Sequence, residues 1–211
     1  MIYNLLSLVS SFIAFIIEKF SYFGVFVLMM LESAGVPIPS EIIMPFSGFL
    51  VSRGVFIFWV LIFVGILGNV VGSLIFYWLG RYIGRSFIMR FGGYLLIHPK
   101  DIDLAERWFQ RWGSWAIFVS RMLPVVRTYI SFPAGVANMN LWKFILFSTI
   151  GIIPWVWFLA WLGVFLGEEW TTFEHYFRKF DILILVILIS VVVWWVHRHI
   201  RHRRNDIEIT P

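Results

Sequence analysis

Four ionisable side chains stand where the sequence around them is apolar: Glu32, Glu41, Arg121 and Arg127 each interrupt a run of aliphatic and aromatic residues. A charge at the middle of a bilayer costs roughly 2.5–3.5 kcal/mol on insertion scales. Left uncompensated, the set would cost on the order of 10 kcal/mol, comparable with the whole stability of a small protein. Mutual pairing is the least costly way to offset that. The residue types also suit a particular chemistry. Guanidinium groups offer forked donors matched to phosphate oxygens, and carboxylates can take up protons. With both glutamates ionised the charges cancel, so an arriving phosphate would be uncompensated; protonating one or both leaves a net positive site. The cluster therefore admits two uses. It is either a set of buried ion pairs fixing two elements together, or a mid-membrane polar site in which proton uptake and anion binding are linked at Glu32 and Glu41.

The spacing dictates how these residues must be held. On one continuous helix, Glu32 and Glu41 would point to opposite faces, and Arg121 and Arg127 would diverge by about 120°. Neither pair could share a cavity unless its helix is broken. Proline supplies the breaks, because it lacks an amide donor and disfavours helix in the residue before it. Pro37 and Pro39 lie between the glutamates, and Pro124 lies between the arginines. Broken half-helices would also present free amides and carbonyls to a polar ligand.

The remainder of the chain agrees with a membrane setting. Its 211 residues are 60% hydrophobic and 14% charged, whereas soluble domains are about half apolar and about a quarter charged. Soluble enzymes, disordered tails and disulfide scaffolds are thereby excluded, and without cysteine neither disulfides nor thiolate metal sites can contribute. The net charge of +5 fits the basic excess of cytoplasmic loops better than a nucleic-acid partner. No cleavable signal peptide is expected, since Met1 to Ile17 carries no basic residue and no small-residue cleavage site follows.

The expected fold is an all-α, polytopic membrane protein: an inverted repeat of a re-entrant helical hairpin plus a transmembrane helix, with a further C-terminal transmembrane helix. Residues 1–19 form a short membrane or interfacial helix. Residues 20–80 form the first repeat, with a hairpin over about 20–52 and a span over 54–80. A cytoplasmic or interfacial connector occupies 81–113, where Trp108 and Trp112 suit the headgroup level. The second repeat covers 114–167, with a hairpin over about 114–138 and a span over 141–167 in which Pro154 predicts a kink. An exterior loop (168–180), a last span (181–197) and a basic tail (198–211) complete the chain. Gly68, Gly72, Gly80 and Gly84 fall on one ridge of the first span and predict close helix packing. Basic residues set the orientation. Six in 81–111, Lys143 and four in the tail make eleven on one side, against Lys19, Arg53, Arg178 and Lys179 on the other. That bias places the connector and the C-terminus in the cytoplasm, so the two hairpins enter from opposite faces, as in many secondary transporters.

Two segments then resemble a known family. Glu32-Ser-Ala-Gly-Val-Pro-Ile-Pro-Ser-Glu41, followed by Pro45 and Gly48, is similar to the acidic re-entrant motif of the DedA family, the SNARE-associated or VTT-domain membrane proteins. Ser120-Arg-Met-Leu-Pro-Val-Val-Arg-Thr128, leading into Pro133-Ala-Gly135-Val136, resembles its second motif. The likeness extends over about residues 20 to 167. It departs from the family pattern at Glu41, where many members carry aspartate and a longer loop, and at Ser120, where many carry glycine. The resemblance implies a bacterial inner-membrane lipid transporter, a flippase returning undecaprenyl phosphate to the cytoplasmic face for reuse as an envelope carrier. It places Arg121, Arg127 and Thr128 at the phosphate headgroup and Glu32 and Glu41 as counterions and proton carriers. Pro37, Pro39, Pro45, Gly48, Pro124, Pro133 and Gly135 become the structural residues of the hairpin breaks. No cofactor is implied beyond a coupling proton or sodium ion.

Other functions fit less well. A lipid-phosphate phosphatase would use histidine as nucleophile and base, yet His98, His175, His197, His199 and His202 all fall outside the expected core. An ion or small-solute exchanger driven by protons or sodium uses the same paired charges and stays open, as does a non-specific phospholipid scramblase. The expected partners are membrane lipids, with anionic lipid at the basic tail; a homo-oligomer is left open.

Overall fold

The structure is a computed structural model that describes residues 2–84, 112–123 and 126–167. Most of the expected connector, the Pro124 break, the loop over 168–180, the last span and the tail lie outside the described residues. All regular structure among the described residues is helical, as the composition requires. The elements are α1 (Ile2–Ser33), α2 (Ser40–Ser52) and α3 (Phe58–Leu79), the last continued by a π-helical turn (Gly80–Gly84). There follow α4 (residues 112–121), the single turn α5 (Val126–Tyr129), α6 (Ser131–Val136) and α7 (Leu141–Leu166). Three stretches are long and apolar enough to cross a bilayer: Val9–Ser33, Phe58–Ile83 and Leu141–Leu166. At 13 residues, α2 is not. Trp59, Phe63, Trp142 and Phe165 face outward, an exposure suited to hydrocarbon surroundings.

α1 is two helices in one. Ser21 has φ 55 and ψ −136, outside the helical region, just after Glu18 and Lys19 end the first apolar run. The two limbs fold against each other, so that a side chain at Gly24 would meet the Ile16 carbonyl at 2.6 Å. Tyr22, at the bend, stacks on Phe56 with ring centres 4.4 Å apart, and its hydroxyl accepts the Ile57 amide at 2.6 Å. The second limb, 22–33, thereby starts level with the loop between α2 and α3.

The glycine ridge of α3 divides its work. Gly68 and Gly72 lie against the main chain of Phe26 and Met30 in that limb, and Gly80 lies against Phe132 in α6. A side chain at any of them would collide with backbone, so the ridge lets α3 touch both halves of the molecule. Two apolar cores result. One gathers Ile17, Leu28, Met29, Ile43, Leu61 and Val156, and the other gathers Tyr77, Ile117, Ile130, Ala134 and Phe144.

Not every proline breaks a helix. Residues 34–39, with Pro37 and Pro39, are non-helical as expected. Pro45 and Gly48, expected among the breaks, instead lie inside α2. The missing Pro45 amide removes one internal bond, and the helix continues because the glycines of the α2–α7 crossing let Pro45 meet Gly163 backbone to backbone. Pro133 and Gly135 likewise lie within α6. Pro133 is the third residue of that helix, where an amide has no intrahelical partner to lose. Pro154 lies inside α7, which is helical on both sides of it.

Candidate functional site

The first tip is built by two well-formed helix ends. Limb 22–33 closes in a Schellman motif: the Val36 amide donates to the Leu31 carbonyl at 3.0 Å and the Gly35 amide to the Glu32 carbonyl at 3.1 Å, with Gly35 at φ 99, a conformation that favours glycine. Glu32 is thus held in the last turn of its helix, where negative charge is disfavoured by the helix dipole. α2 then starts after Pro39, whose carbonyl accepts the Ile42 amide at 3.1 Å. This puts Glu41 in a first turn, where negative charge is favoured.

The second tip carries the arginines. α4 ends with the Met122 amide donating to the Val119 carbonyl at 3.1 Å and the Leu123 amide to the Ser120 carbonyl at 3.2 Å. The chain resumes as α5, a single turn bearing Arg127 and Thr128. Arg121 is 0% and Arg127 2% exposed, yet they point to different partners.

Arg127 reaches across to the first tip. Its Nη2 lies 3.2 Å from an Oε1 of Glu32 and 3.2 Å from an Oε1 of Glu41, and it also donates to Ser40 Oγ. One amine carries two protons, so three acceptors share two donors there. Glu32 is the better satisfied carboxylate. Its Oε1 also accepts from Thr128 Oγ1 at 2.9 Å, and its Oε2 accepts from Ser33 Oγ at 3.0 Å. Among the described residues Glu41 has, besides Arg127, a long 3.4 Å contact from Ser40, and its side chain keeps 17% exposure against 6% for Glu32. The Trp155 ring of α7 lies beneath the Arg127 guanidinium, 4.7 Å from its carbon to the ring centre.

Arg121 stays within its own half. Nη1 donates to the Arg127 carbonyl at 2.7 Å, and Nη2 to Ser131 Oγ at 2.9 Å and Ser148 Oγ at 3.3 Å. Among the described residues it forms no ion pair with either glutamate. The expectation that all four charges converge is therefore corrected. Three do, and Arg121 instead fixes the backbone of Arg127, because the tip returns α5 over it and turns a carbonyl towards its guanidinium. Ser33, Ser40, Ser131, Ser148 and Trp155 complete the arrangement without having been singled out from sequence. Ser33 and Ser40 adjoin the glutamates, so their position was a usable signal. Ser148 was visible as a hydroxyl in an uncharged span, whereas Trp155 is one of 12 tryptophans with nothing to mark it.

Beside α5, Phe76, Val126, Tyr129, Ile130, Phe132 and Pro133 line an open apolar cavity of about 310 Å³. Arg127 and Thr128 lie between Val126 and Tyr129 in the chain, so a polar cluster and an apolar groove share one helical turn. Among the described residues no group of three or more His, Asp or Glu side chains is placed to hold a metal ion.

Comparison with known proteins gives consistent results. The VTT domain matches residues 38–165, which takes in Glu41 and both arginines and starts just after Glu32. The chain is 36% identical over 186 residues to undecaprenyl phosphate transporter A of Bacillus subtilis (strain 168), covering 88% of this chain and 91% of the relative. It is 31% identical over 193 residues to undecaprenyl phosphate transporter A of Staphylococcus aureus (strain NCTC 8325 / PS 47), covering 90% and 95%. It is 35% identical over 178 residues to an alkaline phosphatase-like protein of Lactococcus lactis subsp. lactis (strain IL1403), covering 82% and 83%. No solved structure matches the chain at a significant level.

Proposed function

The chain belongs to the VTT-domain (DedA) family, and on that premise we propose that it is a membrane lipid transporter that carries undecaprenyl phosphate, or a closely similar lipid phosphate, across the bacterial cytoplasmic membrane. The observation that carries the proposal is the sharing of one buried guanidinium nitrogen between two carboxylates from the opposite tip. Such a pair is at rest only while both partners are present, since a buried charge stripped of its partner costs about 3–5 kcal/mol. Protonating Glu32 and Glu41 withdraws their claim on Arg127 and leaves its donors for a phosphate, which accepts several hydrogen bonds at once. The polyprenyl tail stays in hydrocarbon alongside the apolar groove of Phe76, Tyr129 and Phe132 while the headgroup passes between the tips.

In this proposal the two tips are re-entrant, enter from opposite faces as an inverted repeat, and leave the C-terminus in the cytoplasm. Arg127 and Thr128 meet the headgroup, Arg121 acts through Arg127, and protons rather than sodium are the coupling ion. Transport is favoured over phosphate-ester hydrolysis because the cluster of carboxylates, guanidiniums and hydroxyls is suited to binding and releasing a phosphate.

Among the described residues, the groups hydrogen-bonded to the glutamates are Arg127, Thr128, Ser33 and Ser40, and Arg121 adds a nearby positive charge. Binding of undecaprenyl phosphate to the protein in nanodiscs should tighten as pH falls. The Glu32→Gln, Glu41→Gln double variant should lose that dependence, apart from the ligand's own second ionisation near about pH 6. A double variant that keeps the wild-type profile sinks the proton linkage. Absence of wild-type binding, together with unchanged surface display of the lipid in cells lacking the protein, moves the assignment to an ion exchanger.

A further inference from the structure

The cluster around Arg127 holds a donor that nothing in it answers. Trp155 Nε1 is closed off from solvent and has no hydrogen-bond acceptor among the described residues. A buried polar group left unpaired is destabilising, and buried tryptophans normally place their N–H against an acceptor. The indole is not merely filling space, because its face carries the guanidinium that both glutamates hold. An indole N–H and a guanidinium can only donate. What answers the indole N–H is therefore an acceptor, and beside a guanidinium already engaged by carboxylates that acceptor suits a negatively charged, oxygen-rich ligand.

We propose that Trp155 is a headgroup-binding residue: its ring holds Arg127 in place while the carboxylates occupy it, and its Nε1–H donates to a phosphate oxygen once the phosphate replaces them. The inference rests on the lipid-phosphate reading above and adds to it a specificity element, a neutral donor that recognises the oxyanion without adding charge to the membrane interior. A hydrogen bond to a charged group contributes about 1.5–3 kcal/mol, so its loss should weaken binding at least about tenfold.

The test uses the full chain in nanodiscs, titrated with undecaprenyl phosphate, undecaprenol and inorganic phosphate. Trp155→Phe keeps an aromatic face for Arg127 and removes the N–H. It should bind undecaprenyl phosphate at least about tenfold more weakly than wild type, with undecaprenol binding unchanged. Equal weakening for the phosphate and the alcohol assigns the ring to packing and overturns the proposal, as does unchanged phosphate affinity. If wild type binds neither lipid, the parent reading fails; the inference then stands if inorganic phosphate binds wild type and is weakened by the substitution, and falls otherwise. If Trp155→Phe does not fold, Trp155→Tyr takes its place, with a hydroxyl donor that should restore part of the phosphate affinity. Failure of both to fold makes the indole structural and overturns the proposal.

Discussion

The two tips look alike in sequence, two like charges astride a proline, and they behave differently in space. The first keeps neither of its charges for itself: Glu32 and Glu41 both turn outward to the other tip. The second spends one charge internally. Arg121 binds the carbonyl of Arg127, and Ser131 and Ser148 behind it, while among the described residues it is Arg127 that crosses to pair with the glutamates. Backbone position and side-chain occupancy of Arg127 are thereby set by separate groups. Arg121 determines where the guanidinium starts from, and the carboxylates determine whether it is engaged. A site that must both hold its shape and exchange its partner needs that separation, because a single set of bonds cannot be permanent and breakable at once.

Removing Arg127 should have the largest effect on this division. Arg127→Ala leaves two carboxylates uncompensated and should cost about 3–5 kcal/mol, read as a large fall in thermal stability in nanodiscs together with loss of undecaprenyl phosphate binding. Adding Glu32→Gln and Glu41→Gln to that variant should recover most of the stability and none of the binding. Recovery of both would mean that Arg127 has only a structural role.

Arg121→Lys comes next. Lysine keeps the charge but cannot span the Arg127 carbonyl and two hydroxyls as a planar fork does. Stability should fall by about 1–3 kcal/mol, while the folded protein keeps its phosphate affinity within a few-fold. A loss of affinity matching that of an Arg127 variant would place Arg121 on the ligand and erase the distinction between the tips.

How far the sequence foretold this arrangement depended on whether the deciding force was local. The break at Pro37 and Pro39, the uncharged spans and the polar cluster itself follow from backbone chemistry and the cost of buried charge, and each was readable from a few adjacent residues. The glycine ridge of α3 was also readable, though not that Gly72 would serve one half and Gly80 the other. The prolines at 45 and 133 misled because a missing amide ends a helix only when packing does not hold the turns on either side. The bend at Ser21 had no proline to announce it. Which arginine crosses was invisible for a different reason. Both have the same chemistry and the same apolar neighbours, and the choice is made by Ser131, Ser148 and a carbonyl that the fold brings together from three elements.

The smallest effects discriminate most finely. Ser40 sits between Arg127 and Glu41, on the exchangeable side of the site, and Ser148 sits behind Arg121, on the permanent side. Each variant removes a single hydroxyl, and Ser148 contributes less, because its contact is the longer of the two that Arg121 Nη2 makes. Ser40→Ala should shift the pH profile of undecaprenyl phosphate binding, since Glu41 loses its second donor and Arg127 loses a competitor for the ligand. Ser148→Ala should lower the melting temperature slightly and leave that profile where it was. If both move the profile equally, occupancy and position are coupled through Arg121, and the two tips work as one network. If only Ser40→Ala moves it, the carbonyl of Arg127 is a fixed point and the exchange of partners is confined to its side chain.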